Sequence, residues 1–517
     1  MHTLSDLNEG HLDLLKIRFE EIKSYVMTAA CEGLPAHEVE LGLWRRVLAM
    51  GHQALGLFFC LQGAGDVGET FTLSDGREAR RLEDLHERTY QSVFGRFTLR
   101  RAVYGSREGQ KIDFVPLDTR LQLPESEFSY LLQDWDQALA VENPYNKVND
   151  VLEKILGVSQ SVDSLERMNR QMSEAVEPFQ ESQPVPPPKE EGAILVVSAD
   201  GKGVPIRREQ DAPAIVDHDR KRGPKPGRKK QAVVGAVYTV APHPRTPQDI
   251  VEALFRQPHQ GAPQTSSARP LPQHKHVRVR LSQQGDKDEA KATQTIFSWL
   301  SEEARKRNPT GDKPLVILLD GQKSLWRASE DFLPDAPRVE ILELLHATPR
   351  LWDATHLFYP SGSDQALVFV KDRVERVLQG QVRSVVRGLR RMGALWKRSL
   401  SFAEGLSPSK KKTLKTICTF FQNNQHRMRY DQYLAAGYPI ASGVIEGACR
   451  HFVKDRMERA GMHWTIEGAQ AMLSLRSVAL NGDWEAFTQD RIQHETQRLY
   501  PHAEVIGAVD WPLPLVA

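Results

Sequence analysis

The 517-residue sequence has little cysteine and no long apolar run. Its four cysteines form no Cys-x-x-Cys pair, which argues against a disulfide framework and against a cysteine-rich zinc site. Sparse cysteine fits a reducing compartment. No apolar stretch approaches the length needed to cross a bilayer, and the N-terminus lacks the basic-then-apolar layout of a signal peptide. We therefore expect a cytoplasmic protein with no membrane partner.

The sequence also lacks an overall excess of charge, because its formal net charge is +1. Basic residues are nevertheless concentrated locally. Residues 221–230 contain six Lys or Arg and no acid, and residues 383–398 contain another six and no acid. A neutral chain with such segments can bind a polyanion through patches rather than through its whole surface.

Length and composition indicate several globular domains. A hydrophobic fraction of 40% and a charged fraction of 26% are typical of a globular protein. A chain of this length predicts three or four domains, and it shows no internal repeat. The N-terminal half divides into a helical domain, a small β-rich domain, a second helical region and a Pro-rich linker, at residues 1–62, 63–124, 125–182 and 183–191.

Within the second helical region, helical periodicity breaks at Gly157 and resumes near Ser159 or Ser161. This pattern fits a helix-turn-helix that reads DNA, and it fits an ordinary helical hairpin equally well.

The C-terminal half predicts an α/β core interrupted by helices. Its predicted segments are the first part of the core, a helical insertion, glutamate-bearing helices of the core and a tail, at residues 192–362, 363–436, 437–495 and 496–517. "AILVVSADGKGVPI" predicts a strand, an Asp-Gly turn and a second strand. "PLVILLDG" predicts another buried strand, and "VEILELLHATPRLWDATHLF" an amphipathic helix.

Two aspartates stand where apolar strands are predicted to end. Asp200 follows "ILVVSA" and Asp320 follows "LVILL". Functional residues cluster at strand ends in α/β sheets, and two carboxylates there can share a hard cation such as Mg²⁺. The other interpretation is that each Asp-Gly is only a turn signal.

A third carboxylate completes a set for two-metal chemistry. Glu446 is our candidate because it stands early in a predicted helix that Ser442 can cap. Glu458 and Glu467 are alternatives on pattern alone, since exposed glutamates are common in helices.

Several segments resemble the ISKra family of bacterial insertion-sequence transposases. They are "VVSADGKGV", "VILLDGQKSLW", "ELLHATPRLWDATH", the long run "GYPIASGVIEGACRHFVKDRMERAGMHWTIEGAQAMLSLRSVALNGDWEAF" and the N-terminal "FGRFTLRRAVYGSREGQKIDFVPLDTRLQLP". The long run is the most specific of them. The resemblance covers nearly the whole chain, and residues 207–230 and 257–276 contribute least.

This resemblance implies an α/β ribonuclease-H-like catalytic domain with an all-helical insertion, preceded by helical and small β-containing DNA-binding domains. It implies an Asp–Asp–Glu triad, which falls on Asp200, Asp320 and Glu446 at spacings of 120 and 126 residues. These residues would bind Mg²⁺, or Mn²⁺, for two-metal cleavage of double-stranded DNA. The substrates would be the terminal repeats of the element and the target DNA. The expected protein is a nucleoid-associated homo-oligomer, a dimer or larger.

The sequence departs from related transposases in two places. Relatives often carry Asp-x-x-His or Cys-x-x-His after the second aspartate, where this chain has Glu343-x-x-His346. His346 is a candidate accessory residue near the DNA backbone, or a structural histidine. Relatives can also carry a cysteine pair in the N-terminal β region, which is absent here, so we expect no zinc.

Positive side chains are the candidates for holding DNA. One set lies in the segment "KRGPKPGRKK", predicted as a flexible phosphate-binding arm or a solubilising loop: Lys221, Arg222, Lys225, Arg228, Lys229 and Lys230. A second set follows Glu446 and is either a phosphate contact or a solvated helix face: Arg450, Lys454, Arg456 and Arg459. Trp464 is a candidate for stacking on an unpaired base, with core packing as the alternative.

Three other functions compete with a transposase. One is a catalytically inactive, transposase-derived DNA-binding protein, against which the complete Asp–Asp–Glu set argues. Another is a different ribonuclease-H-like nuclease, such as a junction resolvase or an RNA-strand hydrolase, which the long helical insertion disfavours. The third is a scaffolding protein without chemistry.

Overall fold

The computed structural model describes residues 4–105, 112–207, 229–256, 269–282, 285–333, 338–395 and 406–507. These residues form two compact units. One unit combines Met1–Phe179 with Asp483–Ala517, and the other spans Gln180–Gly482. Within the described residues, no helix is both long enough and apolar enough to cross a membrane.

The N-terminal part of the first unit is mainly helical. Its helices are α1 (Leu4–Glu32), α2 (Ala36–Gln62), α3 (Pro116–Leu121), α4 (Tyr130–Ala140), α5 (Tyr145–Leu156), α6 (Val162–Ser173) and α7 (Val176–Ser182), the last of which continues into the second unit. Its strands are β1 (Thr70–Thr72), β2 (Glu78–Arg81), β3 (His86–Ser92), β4 (Gly95–Arg101) and β5 (Tyr104–Gly105). Strands β1, β2 and β5 form one small sheet, and β3 pairs with β4.

The turn between α5 and α6 follows ordinary capping rules. Gly157 ends α5 in the left-handed conformation, at φ 70°. The Ser161 hydroxyl accepts a hydrogen bond from the backbone N–H of Ser164 and thereby caps α6. A helical pair joined by a short turn is present here, and its reading of DNA stays a prediction.

The second unit is built on a five-stranded mixed sheet. The strands are β6 (Ile194–Pro205), β7 (Lys229–Val240), β8 (Gln273–Leu281), β9 (Leu315–Leu319) and β10 (Arg338–Leu342), in the order β10-β9-β6-β7-β8. Strands β6, β9 and β10 are parallel to one another, whereas β7 is antiparallel to both β6 and β8.

Helices cover both faces of this sheet. They are α8 (Pro247–Leu254), α9 (Gly285–Arg307), α10 (Lys323–Phe332), α11 (Leu344–Thr355), α12 (Asp364–Leu378), α13 (Val382–Leu395), α14 (Pro408–Asn424), α15 (Tyr430–Ala435), α16 (Gly443–Ala448), α17 (Asp455–Met457) and α18 (Ile466–Asn481). A π-helical segment, Cys449–Lys454, connects α16 to α17. A mixed sheet with this many helices is compatible with a ribonuclease-H-like domain.

Alternation of side chains explains why the central strands are apolar throughout. All five residues of β9 are buried. Val316 and Leu318 join a core that includes α11 to α15, whereas Leu315, Ile317 and Leu319 join a core with α9 and α10. A strand buried on both faces needs apolar residues at every position.

Two sequence predictions of secondary structure are wrong. The run 339–358 is not one helix, because its first residues form β10, which pairs in parallel with β9. The Asp-Gly at Asp200 is not a turn, because β6 continues through it to Pro205. In both places long-range strand pairing overrides the local signal.

The first unit ends with α19 (Trp484–Leu499) and α20 (Ala503–Gly507). This division differs from the sequence-based one, which kept residues 437–495 together. Phe487 of α19 packs edge-on against Phe179 with ring centroids 5.4 Å apart, and Trp484 Nε1 donates a hydrogen bond to Asp134 at 2.7 Å. These contacts join α19 to the N-terminal helices.

Candidate active site

On each of three neighbouring parallel strands, an acidic residue directly follows the last position at which these strands pair with one another. Ala199 of β6 and Leu342 of β10 both lie opposite Leu319 of β9. The next residues along these strands are Asp200, Asp320 and Glu343. Because the carboxyl ends of parallel strands meet at one edge of a sheet, three acidic side chains share this edge, which we call the acidic edge.

Asp200 stands where β6 runs beyond its neighbour β9. Its strand continues only against β7, with Asp200 opposite Val234. Gly201 does not have the positive φ of a turn glycine. The Asp200 position is therefore held by a continuous strand rather than by a turn.

Asp320 is fixed by the loop that leads from β9 into α10. Its Oδ1 accepts a hydrogen bond from the Gln322 N–H at 2.8 Å, and its carbonyl accepts one from Trp326 Nε1 at 2.6 Å. Burial raises the pKa of the Asp320 carboxyl, and the nearby charge of Asp200 raises it further.

Glu446 approaches the acidic edge from the α16 helix. The Ser442 hydroxyl accepts a hydrogen bond from the Ile445 N–H and caps this helix. Burial is the largest cause of the raised pKa of the Glu446 carboxyl. The charges of Glu343 and Asp200 raise it further. Glu446 therefore lies within electrostatic reach of residues on both β6 and β10.

The π-helical segment that follows Glu446 brings Cys449 to Asp200. Cys449 is buried, and its pKa is raised by burial and then by the charge and hydrogen bond of Asp200. The thiol therefore stays protonated and donates to the Asp200 carboxylate. π-Helical turns often occur at functional sites, because they shift the side chains that follow them.

Glu343 connects the sheet edge to the turn that precedes α16. Its side chain is 2% exposed. Oε1 accepts a hydrogen bond from the Ser442 N–H at 2.7 Å, and Oε2 is 2.8 Å from Nδ1 of His346. The neighbouring Leu344 N–H also donates to the Ile440 carbonyl at 2.9 Å. The sequence named Glu343 only as the partner of His346 and missed this connection.

His346 is the positive group within this acidic cluster. Its hydrogen bond to Glu343 raises its pKa to about 9, assisted by the charges of Glu343, Asp320 and Asp200. The imidazole is therefore protonated at neutral pH in the metal-free protein. It lies beside the acidic edge, as the sequence allowed, and its buried partner Glu343 holds it there.

In the described part of the chain, one group of three side chains has metal-ligand spacing. Atoms of Glu343, His346 and Glu446 lie within 4.8 Å of one another. Neither Asp200 nor Asp320 belongs to that group, although both carboxylates influence its pKa values. The structure thus brings the three predicted residues to one edge, and it adds Glu343 and His346 to them.

The two alternatives to Glu446 lie in other surroundings. Glu458 forms an ion pair with Lys229, with Oε1 and Nζ 2.6 Å apart. Glu467 lies in the first turn of α18.

The basic arm predicted at 221–230 falls mostly outside the described residues. This applies to Lys221, Arg222, Lys225 and Arg228. The prediction of a flexible arm is wrong for Lys229 and Lys230, because both belong to β7 and pair with β6. The ion pair between Lys229 and Glu458 further restricts the Lys229 side chain.

Among the basic residues that follow Glu446, three are exposed and one is buried. Arg450, Lys454 and Arg459 are exposed. The prediction for Arg456 is wrong, because it is 1% exposed and its guanidinium lies over the Trp464 ring at 4.8 Å. Arg456 is therefore a packing residue.

Trp464 is also a core residue rather than a stacking platform. It is 8% exposed, and its Nε1 donates to the Met457 carbonyl at 3.1 Å. Its backbone forms a bridge with Ile206, just beyond the end of β6. Of the two alternatives that the sequence left open, core packing is confirmed and stacking on a base is wrong, because the ring covers Arg456 instead of facing solvent.

Comparisons with known proteins give little further information. No family model and no curated protein matches the chain. Among solved structures, the chain is similar to the Drosophila P element transposase strand transfer complex at 12% identity, with 77% of this chain and 92% of that chain covered. The TM-score is 0.23. A similarity at this level establishes neither the fold nor the function of this chain.

Proposed function

We propose that this chain is a metal-dependent DNA transposase of the Asp–Asp–Glu type, with Asp200, Asp320 and Glu446 as its catalytic residues. The observation that carries the proposal is the acidic edge. Asp200 and Asp320 follow paired positions on adjacent parallel strands, and Glu446 approaches them from a helix whose first turn is bonded to Glu343.

The electrostatics of the acidic edge fit a bound divalent cation. The pKa values of Asp320 and Glu446 are raised by burial and by neighbouring carboxylates, so ionising both groups costs free energy in the metal-free protein. A cation between them would offset that cost. Carboxylate oxygens are the ligands that Mg²⁺ prefers, and Mn²⁺ accepts the same set together with imidazole.

The residues at the edge divide into ligands and supports. Asp200, Asp320 and Glu446 would hold Mg²⁺, which when bound supplies an activated water and stabilises charge on the phosphate oxygens. Cys449 orients Asp200 through its thiol hydrogen bond. Glu343 orients His346 and the start of α16, so that Glu446 is presented to the strand ends.

The proposed reaction has two steps at one site. Hydrolysis of a phosphodiester at the element end gives a 3′-OH, and that hydroxyl then attacks a target phosphodiester and displaces a 3′-oxygen. The substrates are the terminal repeats and target DNA, both double-stranded. The working form would be a dimer or larger, since two element ends must be joined. The ISKra resemblance supports this assignment from sequence alone.

The test is an incubation of the full chain with a plasmid that carries the DNA flanking its gene. Reactions contain Mg²⁺, Mn²⁺ or EDTA, and the variants are Asp200→Asn, Asp320→Asn and Glu446→Gln. Glu458→Gln is a matched control, because it removes a nearby carboxylate that pairs with Lys229.

We expect metal-dependent cleavage and strand joining that all three variants lose and the control keeps. Cleavage without joining would favour another ribonuclease-H-like nuclease. Cleavage that survives Asp200→Asn would show that the active site is wrong, and DNA binding without cleavage in the unmodified chain would indicate an inactive relative.

A further inference from the structure

A basic segment of the helical insertion takes no part in the proposed reaction. Between Gly380 and Tyr430 the sequence has twelve Lys or Arg and one acid, Glu404. Glu404 lies outside the described residues, so no described residue of this segment is acidic. Eight of the basic side chains are exposed on α13 and α14: Arg383, Arg387, Arg390, Arg391, Lys410, Lys411, Lys412 and Lys415. We call these eight residues the basic hairpin.

The four arginines of α13 lie on one side of that helix. Their spacing of four, seven and eight residues from Arg383 places them within a single stripe. The opposite side is buried through Val382, Val385, Val386 and Leu389. The stripe therefore faces solvent. It extends about 12 Å from Arg383 to Arg391, because an α-helix rises 1.5 Å per residue.

Helix α14 runs antiparallel beside this stripe. Arg390 donates to Gln422 at 2.7 Å and Arg383 donates to Gln425 at 3.0 Å, whereas Gly393 at the other end of α13 approaches Leu414. The lysines at the start of α14 thus lie toward the C-terminal end of α13. The two helices present their positive charges as neighbours.

Among the described residues these charges have no counter-ion, in contrast to other basic residues nearby. In α12, Arg373 and Arg376 both pair with Asp372. Arg427, which follows α14, is 9% exposed and pairs with Glu340 and Glu330. No ion pair of the described chain includes a member of the basic hairpin, so its charges are available to an external anion.

Helix α14, which carries the four lysines of the hairpin, contacts the residue that follows Asp320. A Cβ on Gly321, the residue after Asp320, would lie 2.3 Å from Cε2 of Phe420 in α14. The guanidinium of Arg350 in α11 also lies over the Phe420 ring, at 5.3 Å. From Phe420 the lysines of α14 begin about 8 Å along the helix axis. The helix that carries the lysines of the hairpin therefore also borders the acidic edge.

We propose that the basic hairpin binds the phosphate backbone of the duplex DNA that is cut at the acidic edge. This inference deepens the proposed function and rests on it for the identity of the cut strand. The acidic edge and Glu446 together carry four carboxyl groups, so a polyanion needs positive charge elsewhere on the protein. Duplex DNA carries one negative charge per about 1.7 Å, so a 12 Å stripe of arginines spans several phosphates. An acidic protein would instead require apolar anchors, and the arginine stripe has none.

The test measures DNA affinity without metal, so that binding is separated from cleavage. The probe is a fluorescent 30-base-pair duplex in EDTA, titrated with the full chain at several KCl concentrations. The variant is Arg387→Gln/Arg391→Gln. The matched control is Arg305→Gln/Arg327→Gln, which removes the same charge from two exposed arginines of α9 and α10, the helices that cover the other face of the sheet.

We expect the variant to bind about tenfold more weakly at 100 mM salt, and the slope of log affinity against log salt to fall by about 2. The control should keep the affinity and the slope. At saturating DNA with Mg²⁺, the variant should cleave at the unmodified rate, because only the half-saturating DNA concentration changes.

Equal losses in variant and control, or a loss in neither, would overturn the proposed surface and leave the catalytic assignment intact. Absence of duplex binding by the unmodified chain at every salt concentration would overturn both. A variant that binds DNA normally but cleaves slowly would also contradict the hairpin as a binding surface.

Discussion

The acidic edge and the basic hairpin belong to one unit, in which α14 carries the lysines of the hairpin and contacts Gly321 beside Asp320, yet their charges are held differently. At the acidic edge, Asp200, Asp320 and Glu343 all accept hydrogen bonds from the protein, and Glu343 accepts two. At the hairpin, the arginines and lysines are exposed, and no ion pair within the described residues includes them. The edge is a constrained arrangement of few atoms, and the hairpin is a surface of many similar charges.

This difference predicts how each region responds to substitution. A constrained cluster fails when one member is lost, because the remaining groups keep their burial and lose their partner. A surface of like charges loses affinity in small, similar increments. The net charge of +1 conceals both regions, since the 68 Lys and Arg of the whole chain are nearly matched by 67 Asp and Glu.

The largest expected effect comes from the strand-end aspartates. Asp200→Asn or Asp320→Asn should lower metal-dependent DNA cleavage by about a thousandfold or more, because each removes a proposed ligand charge. Duplex affinity in EDTA should stay equal or rise, since the edge becomes less negative. The measurements are single-turnover cleavage and metal-free anisotropy. If these variants lost duplex binding and cleavage together, the acidic edge and the basic hairpin would not have separate roles.

The next effect comes from Glu343, which supports the edge without being one of the proposed triad. Glu343→Ala leaves the Ser442 N–H and the His346 ring without their partner, so we expect a loss of about 2 kcal/mol in the free energy of unfolding. Cleavage should fall by about 10- to 100-fold, the range for residues that orient metal ligands.

Urea unfolding followed by tryptophan fluorescence measures the stability, and single-turnover assays measure the rate. Glu458→Ala is the control, since its partner Lys229 is 57% exposed. Partial rescue of the rate by Glu343→Gln, which keeps an acceptor for Ser442, would support a positioning role. A rate unaffected by either Glu343 variant would contradict it.

A smaller effect separates two arginines of the insertion by their surroundings. Arg427 lies 3.8 Å from the Trp326 ring centroid and donates to Glu340 at 2.7 Å. We expect Arg427→Gln to destabilise the second unit by about 2 kcal/mol, because the side chain is largely buried and paired. Arg387→Gln should change thermal stability little and DNA affinity measurably. If Arg387→Gln lowered the stability and Arg427→Gln weakened only DNA binding, burial would not explain the different roles of these two arginines.

The smallest effect is the pH dependence of the metal-free protein. His346 has a pKa of about 9, so the stability that its charge contributes is fully present below its unfolded pKa and is lost as pH rises through 9. The raised pKa values of Asp320 and Glu446 act in the same direction, because their ionisation costs stability as pH rises. We expect the midpoint temperature of thermal unfolding to decrease as the pH is raised from 6 to 10.

An imidazole titration by NMR identifies the group behind that change. Glu343→Gln should bring the pKa of His346 down from about 9 toward its ordinary range, because the hydrogen bond to Glu343 is the main cause of the shift. An unchanged His346 pKa in that variant would show that Asp200 and Asp320 hold the charge instead.

The sequence was sufficient to find the strand-end aspartates because each follows a run that is apolar apart from Ser198. "ILVVSA" and "LVILL" can be buried strands only if both faces are covered, so the first polar residue after each marks an exposed edge. The same logic fails for Glu343, since β10 is short, amphipathic and continuous with a helical pattern. Its strand character comes from pairing with β9, which is not a local property.

The errors among basic residues have a common origin. Periodicity places Arg456 beside Lys454 on a charged helix, but the π-helical segment and the Trp464 ring turn it into the core. Lys229 and Lys230 look like the end of a loop, whereas strand pairing with β6 extends into them. Which charges are exposed depends on tertiary packing, so a single sequence identifies basic segments more securely than individual DNA contacts.

Direct binding of metal to the acidic edge tests the central claim most simply. Mn²⁺ is titrated into the full chain and followed by electron paramagnetic resonance, beside Asp320→Asn, Glu446→Gln and the control Glu458→Gln. The account predicts binding to the unmodified chain and to the control, with a clear loss in both edge variants. Equal Mn²⁺ binding by all four proteins would contradict it, because the metal would then be held away from Asp320 and Glu446.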